Sequence, residues 1–261
     1  MDASLWIAKT GLDAQQTRMS VIANNLANVN TIGFKQDRAS FEDMLYQNLR
    51  KPGSQIGANA QSPTGLMLGT GVRMVSTQKS YTQGSLVTTK NALDIAIQGD
   101  GFFQILQPDG TLGYTRDGGF KLSPEGILVN ASGYRLQPEL AIPQNAQTVT
   151  IGADGVVSIQ AAGQPAAQQI GQIQLAKFVN PAGLQSMGQN LMRETPASGA
   201  PQVVAPGAAG SGQLAQGALE ASNVNVVEEM VNMIETQRAY EINSKAISAV
   251  DGMLRFLNNN M

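Results

Sequence analysis

The chain contains no cysteine and no histidine. Without cysteine there is no disulfide, no thiolate metal site and no thiol nucleophile, which fits a chain that meets an oxidising compartment without needing staples. Without histidine it lacks the commonest general base, the usual transition-metal ligand and any Ser-His pair. No run approaches the ~20 apolar residues of a membrane span. Nor does the N-terminus show a basic segment, an apolar run and a small-residue cleavage site, so any export is expected to use no cleaved secretory signal. A basic excess is missing too: 17 Lys and Arg stand against 19 Asp and Glu, net charge -2. That balance argues against nucleic acid, and the spread of Lys9, Arg18, Lys35 and Arg38 leaves no polybasic membrane anchor.

What is present is apolar residue, 42% of 261 positions, ample for a buried core. It is arranged in two grammars. In the first 30 residues Leu5, Leu12, Met19 and Leu26 recur every seven, with Ala8, Ile22 and Val29 three positions after members of that row and Gln15 interrupting the second row. This spacing places an apolar stripe along a helix from about residue 3 to about residue 30, ended by Asn28, Asn30, Thr31 and Gly33. The last 36 residues repeat the pattern with Val226, Met233, Tyr240, Ile247 and Leu254. Asn225 with Glu228 reads as a capping box, and the helix is expected to end near residue 257, before the run Asn258-Asn259-Asn260.

Between the helices the period falls to two. Asp100-Gly101, Asp109-Gly110, Asp117-Gly118, Glu125-Gly126 and Ser132-Gly133 separate short apolar runs such as Phe102 to Leu106, the signature of an antiparallel β domain reaching about residue 180. Two stretches read as irregular. Residues 50–72 hold too much Gly and Pro for regular structure, and residues 196–217, rich in Ala, Gly, Pro, Gln and Ser, suit a surface excursion or linker. The fold class expected is therefore α+β. Long N- and C-terminal helices pair as a coiled-coil-like helical domain, with an inserted, mainly antiparallel β domain and an extended loop. The organisation expected is 1–32 and 224–261 as the terminal helical domain and 90–204 as the β-rich outer domain. Residues 33–89 and 205–223 connect them and include the long 46–75 loop.

Narrow seams cannot bury enough surface alone, so each terminal helix needs a partner. Antiparallel pairing of the two still leaves Trp6, Ile7, Val227, Ile234 and Phe256 off the main seams, which asks for neighbouring copies. A private hairpin packed on the β domain is the competing reading. Glu229, Thr236 and Asn243, in the second row of the C-terminal heptad, weaken a private two-helix core.

Three segments resemble a known family. Val21-Ile22-Ala23-Asn24-Asn25-Leu26-Ala27-Asn28, followed by Thr31-Ile32-Gly33-Phe34-Lys35, is similar to the N-terminal signature of flagellar rod and hook proteins. Glu229 to Ile234 with Gln237-Arg238-Ala239-Tyr240-Glu241 resembles that family's C-terminal signature, and Leu93 to Phe103 resembles the entry to its β domain. The loop Gly65-Leu66-Met67-Leu68-Gly69-Thr70-Gly71-Val72-Arg73 is similar to the insertion typical of distal-rod subunits. A proximal-rod or hook subunit of the same family is the near alternative, and a secreted β-rich binding module or hydrolase the distant one.

The resemblance implies a structural subunit of a helical homopolymer in the flagellar basal body, spanning the periplasm, with terminal helices lining a channel and β domains forming the outer wall. It implies as partners other copies of the chain, proximal-rod proteins, the hook protein, the P and L rings, the rod cap and the export apparatus. Intersubunit contacts are then expected along Leu5, Leu12, Met19, Ile22, Leu26, Val226, Met233, Tyr240, Ile247 and Leu254. For Asn24, Asn25, Asn28 and Asn30 two readings stand: bridging subunits or lining the channel, or marking a fraying helix end. Gln237 and Arg238 are read either as an intersubunit polar contact or as a solvated turn. Catalysis, cofactors, metals and small-molecule substrates are not expected: most of Asp94, Asp100, Asp109, Asp117 and Glu125 precede Gly in turns, and Ser244 and Lys245, adjacent on a helix, do not face each other.

Overall fold

The computed structural model describes residues 2–57, 60, 61, 63–161 and 166–259. Positions 58, 59 and 62 of the expected loop, 162–165 of the expected β domain, and residues 1, 260 and 261 lie outside the described residues. The chain is α+β, with a helix at each end and a mostly antiparallel β-rich middle, and it divides into two compact units.

The first unit comprises residues 1–26, 37–78 and 225–261. Its helices are α1, Asp2–Ala27, and α2, Val226–Asn259. Asn225 starts α2: its side-chain oxygen accepts from the Val227 N–H at 3.1 Å, satisfying one of the donors a helix leaves open. The helix continues through Asn258 and Asn259 rather than stopping near residue 257. Asparagine costs only a fraction of a kcal/mol in a helix, roughly 0.7 at most, so two of them do not end a turn already begun.

Residues 50–72, expected to be irregular, carry short paired strands separated by turns. Gln47–Arg50 runs antiparallel to Leu66–Leu68, Gln55–Gly57 pairs with Ala60–Gln61, and Asp37–Asp43 pairs with Val72–Lys79. The Gly and Pro residues that suggested a loop supply its turns, as at Lys51 to Ser54, where the Ser54 N–H donates to the Lys51 carbonyl at 3.2 Å. The result is a ribbon, and the ladder satisfies backbone groups that a free loop would leave to water.

The second unit comprises residues 27–36 and 79–224. Its largest sheet has seven strands, ordered Lys121–Leu122, Leu128–Val129, Arg135–Gln137, Phe103–Leu106, Leu112–Thr115, Leu191–Arg193 and Gln185–Gly188, with every neighbour antiparallel. A three-stranded sheet of Ala146–Ile151, Val156–Ala161 and Gln168–Gln172 packs with it around Ile97, Phe103, Ile105, Phe120, Val157 and Ile173, all essentially inaccessible. Gly110, Gly126, Gly133 and Gly155 adopt positive φ, as the turns read from Asp-Gly, Glu-Gly and Ser-Gly require. The stretch 196–217, expected as a surface excursion or linker, carries two strands. Gln202–Val204 pairs with Leu175–Lys177, and Gln213–Gln216 pairs with Ile95–Gln98. Leu214, the one large apolar residue of the strand Gln213–Gln216, enters the core.

Candidate assembly surfaces

The Thr31 to Lys35 motif belongs to the second unit and is built into its interior. Two short turns, Thr31 N–H to Asn28 O at 3.1 Å and Phe34 N–H to Thr31 O at 3.3 Å, turn the backbone, and the Thr31 hydroxyl meets Asn28 Oδ1 at 3.1 Å. Gly33 sits at φ +69°, donates its N–H to the Glu220 carbonyl at 2.8 Å, and leaves no room for a Cβ, which would lie 2.7 Å from the backbone carbon of Arg116. Lys35 follows with its side chain fully buried. Its Nζ donates to Glu220 Oε1 and to the Thr82 carbonyl, each at 2.7 Å.

Glu220 holds two further groups in place. Its Oε2 accepts from Arg116 Nη1 at 3.3 Å, its Oε1 also accepts from the Gly84 N–H at 3.0 Å, and Arg116 lies over the Phe102 ring at 5.3 Å. Two cations thus share one carboxylate, all three side chains being buried. Burial pulls the Lys35 ammonium below the usual lysine value and Arg116 below the usual arginine value, while Glu220 favours the charged form of both. Motif reading singled out neither Glu220 nor Arg116. The available signal was that Glu220 is the only charged residue between Glu194 and Glu228.

In the first unit Asn25 is 1% exposed in the single chain. Its amide imitates a neighbouring strand: Nδ2 donates to the Asp37 carbonyl and Oδ1 accepts from the Asp37 N–H, both at 2.9 Å. Nδ2 also lies 3.5 Å from Glu229 Oε1 of α2. Asn24 is exposed and reaches Asp37 Oδ2 at 3.5 Å, while Gln237 and Arg238 face solvent.

The helical rows differ from a simple apolar seam. On α1, Ala14, Ile22 and Asn25 are buried, while Leu5, Leu12, Met19 and Leu26 are only half-buried. On α2 the buried positions are Glu229 and Thr236, with Met233, Asn243, Ile247 and Leu254 half-buried beside them. Val226 and Tyr240, which share the apolar heptad, lie on the exposed side of the chain. Off the seam, Trp6, Val227, Met230, Ile234 and Phe256 are about half exposed or more.

The ribbon carries a second apolar surface. Leu45 is 90% exposed, and Leu49, Leu66, Met67, Leu68, Met74 and Val75 are all open to solvent. Gly71, at φ +119°, fits against α1, where a Cβ would fall on Thr10 Oγ1, the acceptor for the Val72 N–H at 3.4 Å. A side chain at position 65 would meet Pro52 and the Arg50 carbonyl, and one at 69 would touch Tyr46. Arg73 pairs with Glu42 on the neighbouring strand. Isolated apolar side chains on a surface need no explanation, whereas groups of them on a ribbon and on the helices are candidates for an interaction surface.

A chain with apolar faces at both terminal helices, an apolar ribbon and a β unit tied by buried charge belongs to the class of assembling structural subunits. Three family models match it: "Flagella basal body rod protein" over residues 5–35, "Flagellar hook protein FlgE/F/G D1 domain" over 96–159, and "Flagellar basal body rod FlgEFG protein C-terminal" over 215–260. The chain is similar to the flagellar basal-body rod protein FlgG of Buchnera aphidicola (subsp. Schizaphis graminum), 56% identical over 98% of this chain and 99% of that one. It is 46% identical to the FlgG of Borreliella burgdorferi over 99% and 98% of the two chains, and 36% identical to the FlgF of Caulobacter vibrioides over 92% and 90%. The chain belongs to the flagellar basal-body rod protein family and is a structural subunit of the rod; the family is not an enzyme family.

Proposed function

We propose that this chain builds the distal rod. Copies of it polymerise into a hollow helical drive shaft that crosses the periplasm and carries torque from motor to hook. Higher identity to FlgG, at 56%, than to FlgF, at 36%, supports the distal place over the proximal one, as does the 46–75 ribbon. The reading rests on one observation above others: Leu45, Leu49, Val227 and Phe256 expose between 62% and 90% of their area in the single chain. Covering apolar area is worth about 25 cal/mol per Å², so a neighbour that covers these residues stabilises the polymer without any new chemistry.

In this reading α1 and α2 pair as an antiparallel, coiled-coil-like hairpin that lines the channel, and the β-rich unit forms the outer wall. Leu5, Leu12, Met19, Val226, Tyr240 and Leu254 complete their burial against neighbouring copies, and the ribbon ties one subunit to the next and stiffens the shaft. Further partners are the proximal-rod proteins, the hook protein, the P and L rings, the rod cap and the export apparatus that delivers the chain. Electron microscopy of basal bodies from cells lacking the protein tests the placement. A rod ending short of the outer membrane is expected, and a rod of full length overturns the distal assignment.

A further inference from the structure

Two contacts between α1 and α2 bring polar side chains into a place where a helix seam is normally apolar. Gly11 faces Asn243, whose Nδ2 would lie 3.1 Å from a Cβ at position 11, and Asn25 faces Glu229 at 3.5 Å. Advancing from Gly11 to Asn25 along α1 moves the partner back from Asn243 to Glu229 along α2 by the same two heptads. The two contacts therefore define one antiparallel register. Halfway along, Thr236 is wholly buried and spends its hydroxyl on the Asn232 carbonyl at 2.6 Å. Continuing the same register by seven residues would set Arg18 beside Thr236, between the two observed contacts.

We propose that this polar row is a register lock, with Asn25 and Glu229 as its specificity-determining pair. An apolar heptad seam reads almost the same after a slip of one heptad, because it presents one aliphatic side chain in place of another. The polar row does not. A slip of one heptad in one direction carries Glu229 past Ala27, the end of α1, and a slip in the other carries Asn25 past Val226, the start of α2. Either slip separates two polar groups that are almost completely buried, Asn25 at 1% and Glu229 at 2% exposure, and takes the Asn25 amide away from Glu229 Oε1. Turning the polar row inward also leaves Val227, Met230 and Ile234 outward. One face of α2 thus sets the register within the chain, and the other remains apolar.

This inference rests on the helix pairing proposed above, and one experiment separates the two. The chain has no native cysteine, so introduced pairs report without background. Gly11→Cys with Asn243→Cys reads the observed register, and Gly11→Cys with Val250→Cys reads a slip of one heptad. Both are oxidised in the purified full chain at a dilution where crosslinks are intramolecular. In the parent background the first pair crosslinks and the second does not. Adding Glu229→Leu, which keeps helix content by circular dichroism, lowers the in-register yield by more than half and makes the slipped crosslink appear. Glu229→Gln, which retains an acceptor for Asn25 Nδ2, restores the parent pattern. If the parent pair fails to crosslink, the helices do not pair and the lock falls with the pairing. If Glu229→Leu leaves the parent pattern unchanged, the pairing stands but apolar packing sets its register, and the lock is wrong.

Discussion

Lys35 Nζ lies 2.7 Å from Glu220 Oε1 with both side chains sealed from solvent, 185 residues apart in sequence. Glu220 also serves Arg116, so the three charges do not contribute equally. Glu220→Ala leaves two buried cations without their anion and is expected to cost about 3–5 kcal/mol. Lys35→Met costs less, because Glu220 keeps Arg116 and the Gly84 N–H. Denaturant unfolding of the two variants checks the order, and equal losses contradict it.

Asn25→Ala removes both hydrogen bonds to the Asp37 backbone and leaves an N–H and a carbonyl short of partners. Each such group costs about 1–3 kcal/mol when buried. Hydrogen exchange at the Asp37 amide should accelerate strongly in this variant, while amides in the middle of α2 keep their protection. An unchanged Asp37 amide would mean that the amide bracket does not hold the strand.

Two glycines with similar backbone angles should respond differently. Gly33 and Gly133 have φ of +69° and +84°, but a Cβ at 33 meets the Arg116 backbone at 2.7 Å, whereas one at 133 meets nothing within 4 Å. Gly133→Ala carries only the left-handed strain of about 1–2 kcal/mol. Gly33→Ala carries that strain plus a backbone displacement, and thermal unfolding should place it clearly below Gly133→Ala.

Tyr114 is fully buried, and burial with Glu194 beside it pushes its phenol up to about 12 from an ordinary value of 10.0. The folded state therefore holds the neutral phenol over a range where the unfolded chain has ionised. Its stabilisation is intact below pH 10 and is lost as pH rises from 10.0 through about 12. Tyr114→Phe should flatten that part of the stability profile, measured as unfolding free energy against pH. An identical slope in the variant assigns the loss to other groups.

Both helices and most of the β turns were legible in the chain because each is encoded locally, by a seven-residue recurrence or by Asp-Gly and Ser-Gly pairs. The pairing of Gln213–Gln216 with Ile95–Gln98 was not, since strand partners more than a hundred residues apart leave no local trace in a stretch dominated by Ala, Gly and Gln. Composition also misled at residues 50–72, where Gly and Pro mark the turns of a ribbon. The heptad located the helices but not the face turned inward. Hydrophobicity alone favours Val226 and Tyr240, whereas the chain buries Glu229 and Thr236, leaves Val226 and Tyr240 exposed and only half-buries Met233, Ile247 and Leu254. Of the N-terminal motif, the need for Gly33 and Lys35 became clear only when Glu220 and Arg116 were seen beside them.

Assembly is the claim on which the functional account stands, and cysteine labelling measures it directly. Leu49→Cys on the ribbon and Ile234→Cys on α2 replace residues that are 62% and 49% exposed in the single chain. A maleimide should label both readily in the purified monomer and hardly at all in intact basal bodies, with labelling restored after the rods are dissociated. Equal labelling in monomer and basal body would show that these faces stay open to water in the rod, and would contradict the account.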